Sequence, residues 1–236
     1  IGELVDFSPD IVLFHKLPHV FPTDPEDVAE TQRIVEEVML RIIVPIWDEC
    51  SNYVLECSAR CAAAMYVDKT FFFCLGNGNS GKGVWMDAIR NAFPGYVGTV
   101  VNNNLIYTHQ ASGDQAKYRS WMIAVRHCRF NFTSEMKIDN SIKLDSNVLK
   151  EMSNGGETLL ARQNNQDETE FVLHGMCWTF ANDIPHIQNI ESDDALHNRI
   201  VFVPMKYRYL VGDKYEQRKH EPNVRQGDDS IKSWIQ

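Results

Sequence analysis

Gly76, Gly81 and Lys82 stand in the spacing G-x-x-x-x-G-K, within the run FFFCLGNGNSGKGVWMDAIR at positions 71–90. Glycines at that spacing let successive backbone N–H groups converge on a phosphate chain without a Cβ in the way, and the lysine supplies a positive charge for the β/γ-phosphates. The whole stretch Gly76, Asn77, Gly78, Asn79, Ser80, Gly81, Lys82 and Gly83 is therefore a candidate nucleotide-binding loop. The alternative is a Gly/Asn-rich turn that merely joins a strand to a helix. One group is missing: the residue after the lysine ordinarily offers a hydroxyl to Mg²⁺, and here it is Gly83.

Three further residues complete a constellation. Glu135 follows RFNFTS (129–134) and can activate water, with Ser134 or Thr133 beside it as helpers in holding a metal. A surface glutamate ending a strand is the competing reading. Asn182 follows MCWTFA (176–181), where a neutral amide can bond a γ-phosphate or an attacking water without adding negative charge; a turn-forming Asn is the alternative. Arg199 opens RIVFVP (199–204), and in a ring assembly it could stabilise transition-state charge on a neighbour's nucleotide rather than sit solvated at an edge.

The elements that must position these groups follow from pattern. Phe71–Leu75 is an apolar run suited to a buried parallel strand, and a helix follows over Val84–Ala92. Asn147–Met152 reads as a helix stopped by Asn154-Gly155-Gly156. Thr158–Gln163 and Glu170–Leu173 flank a polar loop and read as a hairpin. Upstream, Ile11–Phe14 is strand-like, and a helix is expected from a Thr23 cap and Pro25, with an apolar stripe (Val28, Ile34, Val35, Val38, Met39, Ile42) that Pro45 ends. A second helix is expected over Ile46–Met65. The division is then 1–66, a mostly helical lead-in or collar; 67–210, an α/β P-loop domain; and 211–236, a charged and partly mobile tail.

Composition bounds the partners. With 236 residues, 44% hydrophobic, the chain suffices for one large α/β domain, or for one domain with a helical appendage. A net charge of −9 argues against a broad nucleic-acid-coating surface, though not against a narrow channel for one strand. No stretch is long enough to cross a bilayer and no leader pattern opens the chain, so a soluble protein is expected. Six scattered cysteines suit an intracellular, reducing compartment, and Cys57 and Cys61 lack the partners of a zinc site. Starting at Ile1 without methionine, the sequence reads as a piece of something longer.

Taken in order, GNGNSGKG (76–83), CRFNFTSEM (128–136), LKEMSNGGETLLARQ (149–163), WTFANDIP (178–185) and DDALHNRIVFVP (193–204) resemble a viral superfamily 3 helicase, and most the poxvirus-type primase–helicase branch of large DNA viruses and phages. KLPHVF (16–21) resembles that branch's region upstream of the motor, and the likeness covers nearly all of residues 10–206. The resemblance implies an AAA+-like core and a hexameric ring that hydrolyses ATP with Mg²⁺ to move along single-stranded DNA and part a duplex. It implies a virus-encoded protein acting in the host cytoplasm or at a replication site, with a primase domain on the same chain as a further expectation. Residue by residue, Gly76, Gly81 and Lys82 would hold phosphate, Glu135 would be the Walker-B acid, Asn182 the sensor and Arg199 the arginine finger. Lys150, Gly155, Gly156 and Arg162 would link nucleotide state to the DNA hairpin.

Two departures stand out. Gly83 replaces the metal-binding hydroxyl, and the hairpin loop Asn164–Glu168 is acidic where several such helicases are basic. DNA contact then falls to Arg162, His174, Lys150 or loop N–H groups. A nucleotide-binding ring scaffold without turnover is the main alternative, and a small-molecule P-loop kinase a lesser one.

Overall fold

The computed structural model describes residues 17–18, 23–108, 114–136 and 142–236, without the side chain of Tyr66. The strand-like run Ile11–Phe14 and most of KLPHVF lie outside the described residues. Along the chain, α1 (Pro25–Val38) runs through a π-helical segment (Met39–Ile43) into α2 (Val44–Trp47), and α3 (Ser51–Ala62) follows. Next come β1 (Phe71–Leu75), α4 (Lys82–Ala92), β2 (Val97–Val100), α5 (Gln115–Tyr118), α6 (Met122–Val125) and β3 (Phe130–Met136). The middle holds β4 (Lys143–Leu144), α7 (Ser146–Met152), the pair β5 (Leu159–Ala161) and β6 (Thr169–Phe171), then β7 (Met176–Ala181) and β8 (His186–Ile187). Last are α8 (Asp194–His197), β9 (Ile200–Pro204), β10 (Arg208–Leu210), α9 (Gly212–Arg218), β11 (Val224–Gln226) and α10 (Ile231–Trp234).

Five parallel strands form the central sheet in the order β2-β3-β7-β1-β9. The chain leaves β1 for the far edge, returns through β3 and β7, then crosses to β9 on the other side. The carboxyl end of β1 is thus the point where connections diverge, which is where open α/β sheets build ligand sites. Burial follows the pleat. Phe71 and Phe73 enter one core with Leu105, Met122, Leu149 and Leu196, while Phe72 and Cys74 enter the other with Trp47, Val54, Trp85 and Trp178. Helices α6, α7 and α8 therefore cover one face, and α2, α3 and α4 the other. Every side chain of β7 is buried, as a central strand in a two-sided layer requires.

The lead-in departs from its expected form. Asp24, not Thr23, occupies the N-cap position of α1, without a side-chain capping bond. No residue of α1 is buried, and Val28, Ile34 and Val35 of the expected stripe are exposed; burial starts only at Ile42 and Ile43. Pro45 does not end the helix. Proline removes an N–H and crowds the carbonyl one turn back, and the wider π turn just before it absorbs both effects. The break comes at Asp48, whose φ of 50° cannot continue a helix, so α3 restarts at Ser51 with its hydroxyl on the Asp48 carbonyl at 2.5 Å. Nor is the charged tail shapeless: β10 and β11 pair in parallel, and Ile231, Trp234 and Ile235 pack on the core over α4.

Candidate functional site

Lys82 opens α4 immediately after the glycine loop. Gly81 sits in the left-handed region with φ 95°, and a Cβ there would lie 2.6 Å from Ile46 Cγ1, so only glycine fits the turn. Gly76 is held equally tightly, since a Cβ would meet Met205 Cβ at 2.7 Å. The buried Lys82 ammonium spends its three donors on Gly76 O at 2.6 Å, Glu135 Oε1 at 2.6 Å and Asn182 Oδ1 at 2.9 Å. Residues from the loop after β1, from β3 and from the end of β7 thus converge on one cation. The strand–loop–helix reading and the grouping of Lys82, Glu135 and Asn182 are both realised in space.

Glu135 reaches that point through an irregularity. It lies inside β3, not past its end, and pairs with Phe180 while Phe132 pairs with Trp178. Thr133 and Ser134 on β3 therefore oppose Thr179 alone, which is a β-bulge. The extra residue inverts the alternation: Phe132 and Met136, four apart, belong to opposite cores. Without the bulge Glu135 would face the α6–α7 side, away from α4. With it, the carboxylate turns to Lys82.

The bulge also sets where the two metal candidates bond. Thr133 Oγ1 is buried and accepts the Phe180 N–H at 3.3 Å, standing in for a ladder carbonyl, so this hydroxyl is structural. Ser134 Oγ accepts from Asn102 Nδ2 at 3.0 Å, outside the cavity that Glu135 lines. Among the described residues no group of three His, Cys, Asp or Glu forms a metal cage. The donors present suit Mg²⁺ all the same, because that ion keeps several waters and binds through one or two carboxylates plus substrate phosphates. The half-exposed Glu135 carboxylate is the protein ligand available.

The other candidates lie apart. Arg199 precedes β9, at the amino edge of the sheet, and Nη1 donates to the carbonyls of Lys150 at 2.9 Å and Ser153 at 3.3 Å. It lines a second cavity of about 570 Å³ with Lys150, Glu151 and Asn154, distinct from the one at Lys82. Lys150 Nζ bonds Asp193 at 2.7 Å, holding that carboxyl below its usual range. Arg162 is paired with Asp114. His174 precedes β7, and burial, then the nearby Arg129 charge, lowers its pKa. The hairpin β5–β6 forms as expected, with Asn164–Glu168 exposed at its tip.

No family model matches the chain. It is 25% identical over 231 residues, 98% of its length, to "Putative helicase V13" of Sputnik virophage. The chain spans 28% of that relative's length. Among solved structures, the apo C-terminal region of NrS-1 shares the fold with TM-score 0.56 at 14% identity, over 86% of this chain and 42% of that one. Another form of the same region gives TM-score 0.53 at 13% identity, over 86% and 41%.

The cavity at the glycine loop holds about 570 Å³, enough for a nucleotide. Half of its wall escaped the sequence reading. Leu40, Arg41 and Ile46 come from the helices before the loop, and Tyr209, Val211 and Ile231 from the tail. The tail is fastened by Tyr209 N–H to Asn79 O at 2.8 Å, and the Tyr209 hydroxyl donates to Pro45 O. Polar tail residues carried no motif, and only their packing reveals them. Among the described residues no helix is long and apolar enough to cross a membrane.

Proposed function

We propose that the chain is the ATP-dependent motor of a viral or phage DNA helicase, hydrolysing nucleotide between subunits of a hexameric ring to translocate on single-stranded DNA. The observation that carries this reading is the convergence of Lys82, Glu135 and Asn182 within hydrogen-bond reach at the carboxyl edge of the sheet. In a bound complex, the loop N–H groups and the start of α4 would cradle the phosphates. Lys82 would exchange Glu135 and Asn182 for β- and γ-phosphate oxygens, which frees Glu135 to accept a proton from water and Asn182 to orient it. Mg²⁺, held by Glu135 and the phosphates, would neutralise charge on the β- and γ-oxygens.

Arg199 supports a ring. At the amino edge of the sheet it is remote from its own chain's Lys82, so a role in hydrolysis requires a neighbour's nucleotide. Lys150, Arg162 and His174 are the proposed DNA-coupling residues. Two of them already hold a carboxylate, which suits a weak contact per subunit multiplied around a ring. The decisive measurement is ATPase rate with and without single-stranded DNA. DNA-stimulated turnover that falls at least about a hundredfold in Lys82→Ala supports the motor; nucleotide binding without turnover in the native sequence favours the scaffold alternative.

A further inference from the structure

The apolar side of the Lys82 cavity has no role in handling phosphate. Leu40 and Val211 present exposed apolar side chains to it, next to Ile46 and Ile231, and these come from segments about 170 residues apart in sequence. One side chain ties the segments together. Arg41 donates through Nη2 to Asp228 Oδ2 at 2.6 Å and Ser230 Oγ at 3.0 Å, and its guanidinium lies 4.5 Å from the Trp234 ring centroid. Arg41 and Asp228 themselves line the cavity. Bonds from Ser230 and Arg41 hold the Asp228 carboxyl down at about 2, so the pair is ionised at neutral pH.

We infer that residues 209–232 form the wall that receives the base and ribose of the nucleotide, and that Arg41 is the positioning residue that latches this wall to the helices before the loop. The inference rests on the nucleotide reading of the cavity and adds where affinity for the nucleoside part originates. An aromatic base would cover the apolar surface that Leu40 and Val211 now show to water, while Lys82 and the loop N–H groups act on phosphate alone. The two contributions are separable, because inorganic tripolyphosphate engages only the second.

Binding of ATP and of inorganic tripolyphosphate is measured by calorimetry on the native chain and on Arg41→Ala, Asp228→Ala, the double variant and Leu40→Ser, with thermal midpoints recorded for each. The native chain is expected to prefer ATP. Arg41→Ala and Asp228→Ala should each shrink that preference roughly five- to tenfold with tripolyphosphate affinity unchanged, and the double variant should lose little more than either. Leu40→Ser, at an exposed position, should shrink it without moving the thermal midpoint. Unchanged tripolyphosphate binding also shows that the variants fold. Full ATP preference in all four variants overturns the latch while leaving the nucleotide site intact. A native chain that binds neither ligand overturns the nucleotide reading itself.

Discussion

At Gly83 a side chain would meet nothing within 4 Å, and the residue lies in the first turn of α4 with no positive φ. The absence of a hydroxyl there is thus a choice of residue and not a steric necessity. Gly83→Ser should fold normally and lower the Mg²⁺ concentration that half-saturates ATPase by roughly tenfold, the scale of adding or orienting a metal ligand. An unchanged Mg²⁺ titration would show that the ion sits elsewhere. His174 makes the opposite point about charge. Its lowered pKa means the folded protein keeps it neutral at pH 7, so it cannot add to phosphate attraction there. A neutral imidazole can still stack on a base or hydrogen-bond, so His174→Ala is expected to weaken single-stranded DNA binding at pH 7.5 while leaving the salt dependence of that binding unchanged. The sign for stability follows. The unfolded chain takes up the proton first as pH falls through about 6.5, so this residue's contribution is full above that value and declines below it. A native chain whose thermal midpoint rose on acidification through this range, relative to His174→Ala, would contradict the assignment.

At the scale of elements, the bulge in β3 does most to build the site. Its cost is a buried Phe180 N–H without a ladder partner, met by the Thr133 hydroxyl at 3.3 Å. Thr133→Val keeps the shape and removes the acceptor, so it should destabilise the protein by about 1–3 kcal/mol in chemical denaturation while leaving the Mg²⁺ dependence of ATPase as it was. A change in metal dependence at native stability would restore Thr133 as a ligand. The strands themselves were legible in sequence: FFFCL and MCWTFA are continuous apolar runs, and the structure places β1 and β7 over those same residues. The strand around Glu135 was legible as well, but its facing was not. A one-residue insertion in pairing depends on what lies opposite, and Thr179 is 46 positions away. Short elements such as β2, β4 and β8 carry too few residues for a periodicity to show.

Over the whole molecule, the separation of Arg199 from Lys82 decides how turnover can be organised. If Arg199 acts on a neighbour, Arg199→Ala and Lys82→Ala chains are each inactive alone. Mixed together they should recover part of the ATPase, because some interfaces then pair an intact loop with an intact arginine. No recovery in a mixture that demonstrably co-assembles would remove Arg199 from catalysis. The exposed Val28, Ile34 and Val35 along α1 belong to the same scale. A helix with an apolar stripe was legible in sequence, yet among the described residues only its end at Val38 packs against the core.

Sequence by itself determined the glycine loop, the strands on either side of it and the order of motifs, because each depends on a handful of adjacent residues. Backbone sterics at Gly81 and the apolar runs of β1 and β7 are local properties. Only the tertiary structure decided that Glu135 turns toward Lys82, that Thr133 serves the backbone, and that Arg41 and the tail close the cavity. Those outcomes depend on residues 46 to 187 positions apart meeting across the sheet or over α4, and no local pattern encodes which of them will meet.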